Sequence, residues 1–242
     1  MLDNLDSRQP HAIGHGRRSR DHADLGRDAH TRAPYAVLTP PRGGTSDGSV
    51  VPSRRPPAGY RTRVEFSLTT ERLRIRDWMV DDADAALATY GVAEVTGWLT
   101  PETDRIGDRQ AMRSVLQAWV EAQANLQPPR GRWAIERLAD GAVVGGLAIR
   151  LLPPRLVDLE ISFQLRPEEW GNGYAVEAAG ALIRWAFTQD ISELYAVAIP
   201  GNTRAIATCE RLGMQWVGET NKYYDRRTLQ VHRIRPSDLE DS

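Results

Sequence analysis

From about residue 64 onward, apolar positions recur with two periods, and each change of period marks an element. In "TTERLRIRDW", Leu73 and Ile75 alternate with Arg72, Arg74 and Arg76, which predicts a strand. "VDDADAALATYG" follows, with Asp81 and Asp82 near a helix start and Gly91 near its end. "DRQAMRSVLQAWVEAQANL" carries Met112, Val115, Leu116, Trp119 and Val120 at helical spacing. "GRWAIERL" and "AVVGGLAIRLL" read as two strands joined by a turn at "ADG". "VDLEISFQL" is a third strand, with Val157, Leu159, Ile161, Phe163 and Leu165 on one side and Asp158, Glu160, Ser162 and Gln164 on the other. An amphipathic helix begins after "PEEWGNG", and "ELYAVAI" is a strand. "NTRAIATCERLG" is a helix capped by Asn202, with Gly213 just past its end. "MQWVGET" and "TLQVHRI" add two strands. This order predicts a mixed α/β sheet with helices on both sides.

Residues 1–63 break the pattern. They are rich in Arg, His, Gly and Pro and lack periodic apolar positions, so they are expected to form a disordered tail ahead of a domain at 64–242. The tail holds 11 Arg and 6 Asp, about +5, in a chain of net charge -1. A nucleic-acid or ribosome tether and a plain solvated extension are both open to it. Four of the five histidines lie there without Cys or acidic partners, so no metal site is expected. The overall charge gives no pull toward nucleic acid. No run of 18 apolar residues exists, so no membrane span is expected. The first twenty residues lack the apolar centre of a secretory signal and Cys209 stands alone, so the cytoplasm is the expected compartment. Lys222 is the single lysine beside 30 arginines, which fits a GC-rich bacterial genome.

The polar side of "VDLEISFQL" fits an edge strand facing water. It also fits a central strand beside a solvent-filled cleft, and the strand feeds a glycine turn and a helix, which favours the centre. Gly171 and Gly173 stand at the mouth of that helix, where Ser or Asp would cap more strongly. Glycines let backbone N–H groups approach a ligand, and the first turn of a helix offers unpaired donors to an anion. A tight strand-to-helix turn alone would also use them. Val176 stands where a dinucleotide-binding turn would need a third glycine, and no Gly-Lys-Ser/Thr follows.

"EEWGNGYAVEA", followed some thirty residues later by "GNTRAIATCERLGM", resembles the GNAT superfamily of acyl-CoA-dependent N-acetyltransferases. The first segment is similar to that family's Q/R-x-x-G-x-G/A pyrophosphate loop and the second to its N-x-x-A-x-x-x-Y-x-x-x-G-F helix. "TTERLRIRDWMVDDADAAL" and "EISFQLRPEEWGNGYAVEAAGALIRWAF" resemble the branch that includes the ribosomal-protein N-terminal acetyltransferases. The resemblance spans about residues 67–236. It implies a mixed, mostly antiparallel GNAT-like sheet of about seven strands flanked by about four helices. Three departures stand out. Glu168 stands where Gln or Arg is usual, Trp170 where Arg is common, and Cys209 where many relatives carry a tyrosine that protonates the leaving thiolate.

The resemblance implies acetyl transfer from acetyl-CoA to a primary amine by direct attack in a ternary complex, without a metal. An amine of pKa roughly 10 is protonated at neutral pH, so a carboxylate must take its proton. Glu160 is the first candidate and Asp158 the second; an ion pair of Glu160 with Arg150 is the structural alternative. Backbone N–H groups around Phe163, Gln164 and Leu165 are implied as oxyanion donors. The amides from Trp170 through Gly171, Asn172, Gly173 and Tyr174 to Ala175 are implied to hold the pyrophosphate. Asn202 is implied to touch the pantetheine arm besides capping its helix. Cys209 is open to three readings: a weak acid, a nucleophile or a small buried residue. Trp98, with "GWLTPETDR" around it, and Tyr223 and Tyr224 are candidates for the acceptor wall; packing is the alternative for the tyrosines. The expected partners are a protein N-terminus or a small-molecule amine. A homodimer, an antibiotic such as an aminoglycoside as acceptor, and a catalytically silent CoA-binding module are open alternatives.

Overall fold

The computed structural model describes residues 66–99, 106–224 and 227–239. The expectation of a disordered tail over 1–63 lies outside these residues, as does the stretch from Thr100 to Arg105. Eight strands form one sheet: β1 (Ser67–Thr69), β2 (Leu73–Asp77), β3 (Gly131–Arg137), β4 (Val143–Leu151), β5 (Leu159–Leu165), β6 (Leu194–Ala198), β7 (Gln215–Thr220) and β8 (Leu229–Ile234). Their order is β1-β2-β3-β4-β5-β6-β8-β7. Five helices accompany them: α1 (Ala83–Tyr90), α2 (Ala93–Thr96), α3 (Arg109–Gln123), α4 (Tyr174–Phe187) and α5 (Thr203–Arg211). The fold is therefore the expected mixed α/β sheet, with one strand and one helix more than the periodicity predicts. The first predicted strand is a hairpin, because Thr70 and Leu73 close a turn through N–H···O=C and hydroxyl bonds. The additional helix, α2, is a single turn too short to carry a period.

Strand alternation sorts the sheet into two faces. On one face Leu73, Ile75, Trp133, Ile135, Leu147, Ile149 and Ile161 meet Ala178, Leu182 and Ile183 of α4, the principal core. On the other, Ala134 and Val143 meet Met112, Val115 and Leu116 of α3 and Ala83 and Ala86 of α1. A third apolar cluster, around Leu152, Tyr223, Tyr224, Leu229 and Val231, covers the far part of that face. The polar positions of β5 therefore lie between two covered regions. Two apolar expectations fail. Val157 precedes β5 and is 74% exposed, and Val120, at the margin of the α3 stripe, is 38% exposed. Arg74 and Arg76 on the outer face of β2 are not simply solvated; both pair with the buried Glu136 of β3, and Arg76 also pairs with Asp82.

β5 is central. It pairs antiparallel with β4 along its whole length, from Leu151↔Leu159 to Gly145↔Leu165. With β6 it is parallel, joined through α4 as a parallel connection requires. The β5–β6 ladder holds one bridge, Glu160↔Tyr195, and the two strands then part. No described helix is long and apolar enough to cross a membrane.

Candidate active site

The glycine turn is built by backbone geometry. Gly171 and Gly173 have φ of 83° and 78°, the left-handed region that side chains rarely adopt. Gly173 is the N-cap of α4, and no side chain caps that end. The first helical bond runs from Glu177 N–H to Gly173 C=O at 3.1 Å. The amides of Tyr174, Ala175 and Val176 precede it and have no intrahelical acceptor. A Cβ at Gly171 would meet nothing within 4 Å, so the space before this turn is open. Open space, unpaired donors and the positive end of a helix dipole together fit a diphosphate.

The acids nearby are turned away or neutralised. Glu168 is exposed and outside the cavity lining. Glu169 is buried between Arg137 at 2.7 Å and Arg166 at 2.6 Å. Glu177 accepts from Thr70 Oγ1 (2.6 Å), Arg72 N–H (2.9 Å) and Arg72 Nε (2.7 Å). Burial works to raise the Glu177 carboxyl, but these bonds outweigh it and hold it below its ordinary value. Arg72 also donates from Nη1 to the Asn172 carbonyl at 3.1 Å, and Asn172 donates to the Glu169 carbonyl at 3.2 Å. Alternation alone placed Arg72 on the polar side of a strand; the fold makes it a clasp between β2, the glycine turn and α4.

The parting of β5 and β6 opens a gap beside the turn. Arg166 N–H bonds to Val144 C=O, so even-numbered residues of this stretch turn their backbone groups toward β4. Phe163 and Leu165 therefore turn theirs toward the gap, where β6 no longer pairs. The Leu165 carbonyl accepts from Trp170 Nε1 at 2.9 Å, so the indole stands in for the missing strand. Phe163, Gln164 and Leu165 all line the cavity, and Gln164 Oε1 lies 3.4 Å from Tyr90 Oη. Burial pushes the Tyr90 hydroxyl up to about 12.

One cavity of about 1060 Å³ joins these parts. It runs from Arg72 and the Trp170–Ala175 segment past Asn202 and along β5 to Glu160, Arg150, Glu94 and Trp98. Asn202 caps α5, its Oδ1 accepting from Ala205 N–H at 3.2 Å. Trp98 lines the cavity and is 39% exposed.

The carboxylates of β5 separate into two kinds. Glu160 lines the cavity yet is 2% exposed; Arg150 Nε donates to it at 2.8 Å, and the Tyr224 hydroxyl donates to the same oxygen. The ion pair foreseen as the structural alternative therefore exists, inside the cavity wall. Asp158 is outside the lining and accepts from the Tyr223 hydroxyl at 2.5 Å, with Lys222 Nζ at 3.5 Å. Burial and then Asp158 push the Tyr223 hydroxyl well above its ordinary value. Tyr223 and Tyr224 are buried in the third cluster and absent from the lining. The expectation that they form the acceptor wall is corrected: apolar packing draws the rings inward, and their hydroxyls serve the carboxylates from behind. Tyr224→Phe leaves Glu160 with one donor fewer, so urea unfolding is expected to show a loss of about 1–2 kcal/mol. An unchanged midpoint would contradict that bond's contribution.

Cys209 touches the cavity but packs in the principal core at 1% exposure. Burial pushes its thiol from 9.0 to about 12. Such a thiol is almost wholly protonated at neutral pH and is a poor thiolate source. Burial at 1% exposure in the principal core favours the packing reading. Cys209→Ala should keep turnover within about twofold and lose about 1 kcal/mol of stability. Because the folded-state value is raised, this thiol's share of stability is intact below about pH 9 and is lost as pH rises through about 12. The stability gap between wild type and Cys209→Ala should therefore narrow at alkaline pH, measured by denaturation at about pH 8 and about pH 10.

Known proteins match this architecture. The family model described as Acetyltransferase (GNAT) domain matches residues 72–215. The chain is 29% identical over 160 residues to the N-acetyltransferase p20 of Bacillus licheniformis, covering 65% of this chain and 86% of p20. Mycobacterium smegmatis RimJ, solved in complex with CoA-disulfide, superposes with a TM-score of 0.58 at 21% identity, over 69% of this chain and 83% of that one. The ribosomal-protein-S5-alanine acetyltransferase of Vibrio fischeri gives 0.56 at 18% identity, over 72% of this chain and 98% of that one.

Proposed function

Because the chain belongs to the acetyltransferase (GNAT) family, we propose that it transfers an acetyl group from acetyl-CoA to a primary amine, on a protein N-terminus or a small molecule, by direct attack. The observation that carries this reading is continuity: one cavity joins the amide cradle at Gly173, the gap in the sheet and the Glu160 carboxylate. Acetyl-CoA, when bound, supplies an activated acyl group as its thioester. The amides from Gly171 to Ala175 hold its diphosphate, with Arg72 clasping the turn through the Asn172 carbonyl; the Trp170 amide, expected to join them, is instead taken by the Pro167 carbonyl at 3.2 Å. The N–H groups of Phe163 and Leu165 face the place where charge develops on the carbonyl oxygen. Asn202, at the start of α5, orients the pantetheine arm. Glu160 takes the proton from the incoming ammonium, directly or through water, while Arg150 and Tyr224 hold it in position.

Charge argues against a polycationic acceptor. The described lining carries Arg72, Arg150, Arg204 and Arg211 against Glu94, Glu160 and Glu177, and two of those acids are already paired with arginines. That balance suits the phosphates of CoA and gives an aminoglycoside few anions to meet. The likeness to the ribosomal-protein-S5-alanine acetyltransferase of Vibrio fischeri, over 72% of this chain, supports keeping a protein among the candidate acceptors.

The test is an acetyl-transfer screen with mass detection, covering N-terminal peptides, lysine-containing peptides, polyamines and aminoglycosides. Acetylation of mono-amine acceptors with aminoglycosides inert is the expected result. Preferential acetylation of aminoglycosides would overturn the choice of acceptor. CoA binding without turnover across the panel would leave a silent CoA-binding module.

A further inference from the structure

Two arginines of α5 enter the reading above only through the charge balance of the cavity. Arg204 and Arg211 are two turns apart on one helix face, and both line the cavity together with Ala207 and Thr208 between them. Both are exposed, and among the described residues neither forms an ion pair with a carboxylate. Arg72, on the other side of the glycine turn, is by contrast neutralised by Glu177 at 2.6 Å. Arg204 is nevertheless held: its guanidinium lies 4.2 Å from the centre of the Trp170 ring, and that ring is fixed by the bond to Leu165. A cation stacked on an indole keeps both its charge and its outward-facing donors. Trp170 immediately precedes Gly171, so this cation stands beside the cradle.

We propose that Arg204 and Arg211 form a second phosphate subsite, which takes the 3′-phosphate of CoA and makes the protein discriminate against the dephosphorylated cofactor. The proposal rests on the cradle holding the diphosphate. In CoA the 3′-phosphate is carried on the ribose esterified to that diphosphate, one sugar away. Guanidinium forks suit it because they can donate twice to one phosphate.

The test is isothermal titration calorimetry of the full chain with CoA and with 3′-dephospho-CoA. Wild type is expected to bind CoA about tenfold or more tightly than dephospho-CoA, the scale of one charge-assisted bond. The Arg204→Ala/Arg211→Ala variant should bind dephospho-CoA as wild type does and lose the preference. Arg204→Lys, which keeps charge without the fork, should retain part of it. Equal wild-type affinities for the two ligands would overturn this subsite while leaving the cradle standing. So would a double variant that weakens both ligands by the same factor. A wild type that binds neither ligand would overturn the cradle itself, and the subsite with it.

Discussion

Gly173→Val is expected to weaken CoA binding by about two orders of magnitude or more in calorimetry. At φ of 78° a side chain costs about 1–2 kcal/mol, and a β-branched one is a marked outlier. The turn relieves that strain by rotating, and rotation re-aims the first amides of α4. Each charge-assisted hydrogen bond contributes about 1.5–3 kcal/mol, so losing two weakens binding roughly 10²- to 10⁴-fold. Gly141→Val is the control. Its φ of 71° imposes comparable strain in the β3–β4 turn, outside the cavity lining. That variant should lose stability and keep CoA affinity. If Gly173→Val binds CoA as wild type does, the diphosphate does not sit on these amides.

Glu160→Gln should lower kcat about 10²- to 10⁴-fold, the usual range for a general base, with CoA affinity nearly unchanged. The amide keeps the size of the carboxylate and a bond from Tyr224, but it cannot take a proton. The pH dependence separates catalysis from structure. In wild type the rate falls toward low pH for two reasons, protonation of the base and protonation of the amine. In Glu160→Gln only the second remains, so the acid limb becomes shallower. The penalty should also depend on the acceptor: an α-amine of pKa about 7.7–8.0 is partly free at neutral pH and needs the base less than a lysine-like amine of about 10.4. An unaltered pH–rate profile would remove Glu160 from the chemistry and leave it as half of an ion pair.

Most elements are legible in the chain itself, for local reasons. Alternation in "LRIR" and "LEISFQL" marks strands because successive side chains must leave opposite faces of a sheet. Asn202 and Gly213 bracket α5 because a cap and a left-handed residue are needs of the helix ends alone. The failures are equally local. Val157 continues the alternation of β5 past the point where the strand has a partner, and the Thr70–Arg72 turn is too short to interrupt the pattern around it.

The site divides along the same line. Residues 170–175 and 202, proposed here to meet CoA, stand out in the sequence because a glycine turn at a helix start and a helix cap are each local signals. Arg72 could not be found so, because its meaning depends on Glu177, 105 positions away. Tyr224 is 64 positions from the carboxylate it serves, and its adjacency to Tyr223 suggests a shared wall where the fold makes a buried support. Arg204 reads as one more polar helix residue until Trp170 is placed beneath it. By itself the sequence determined the periods, the turns and the glycine-led, uncapped start of α4, since these follow from backbone sterics and from donors within one segment. Only the tertiary structure decided that β5 parts from β6, that Glu160 and not Asp158 reaches the cavity, and that Cys209 packs in the principal core. Those outcomes depend on which distant strands pair and which side chains share a low-dielectric interior, and no local pattern carries that information.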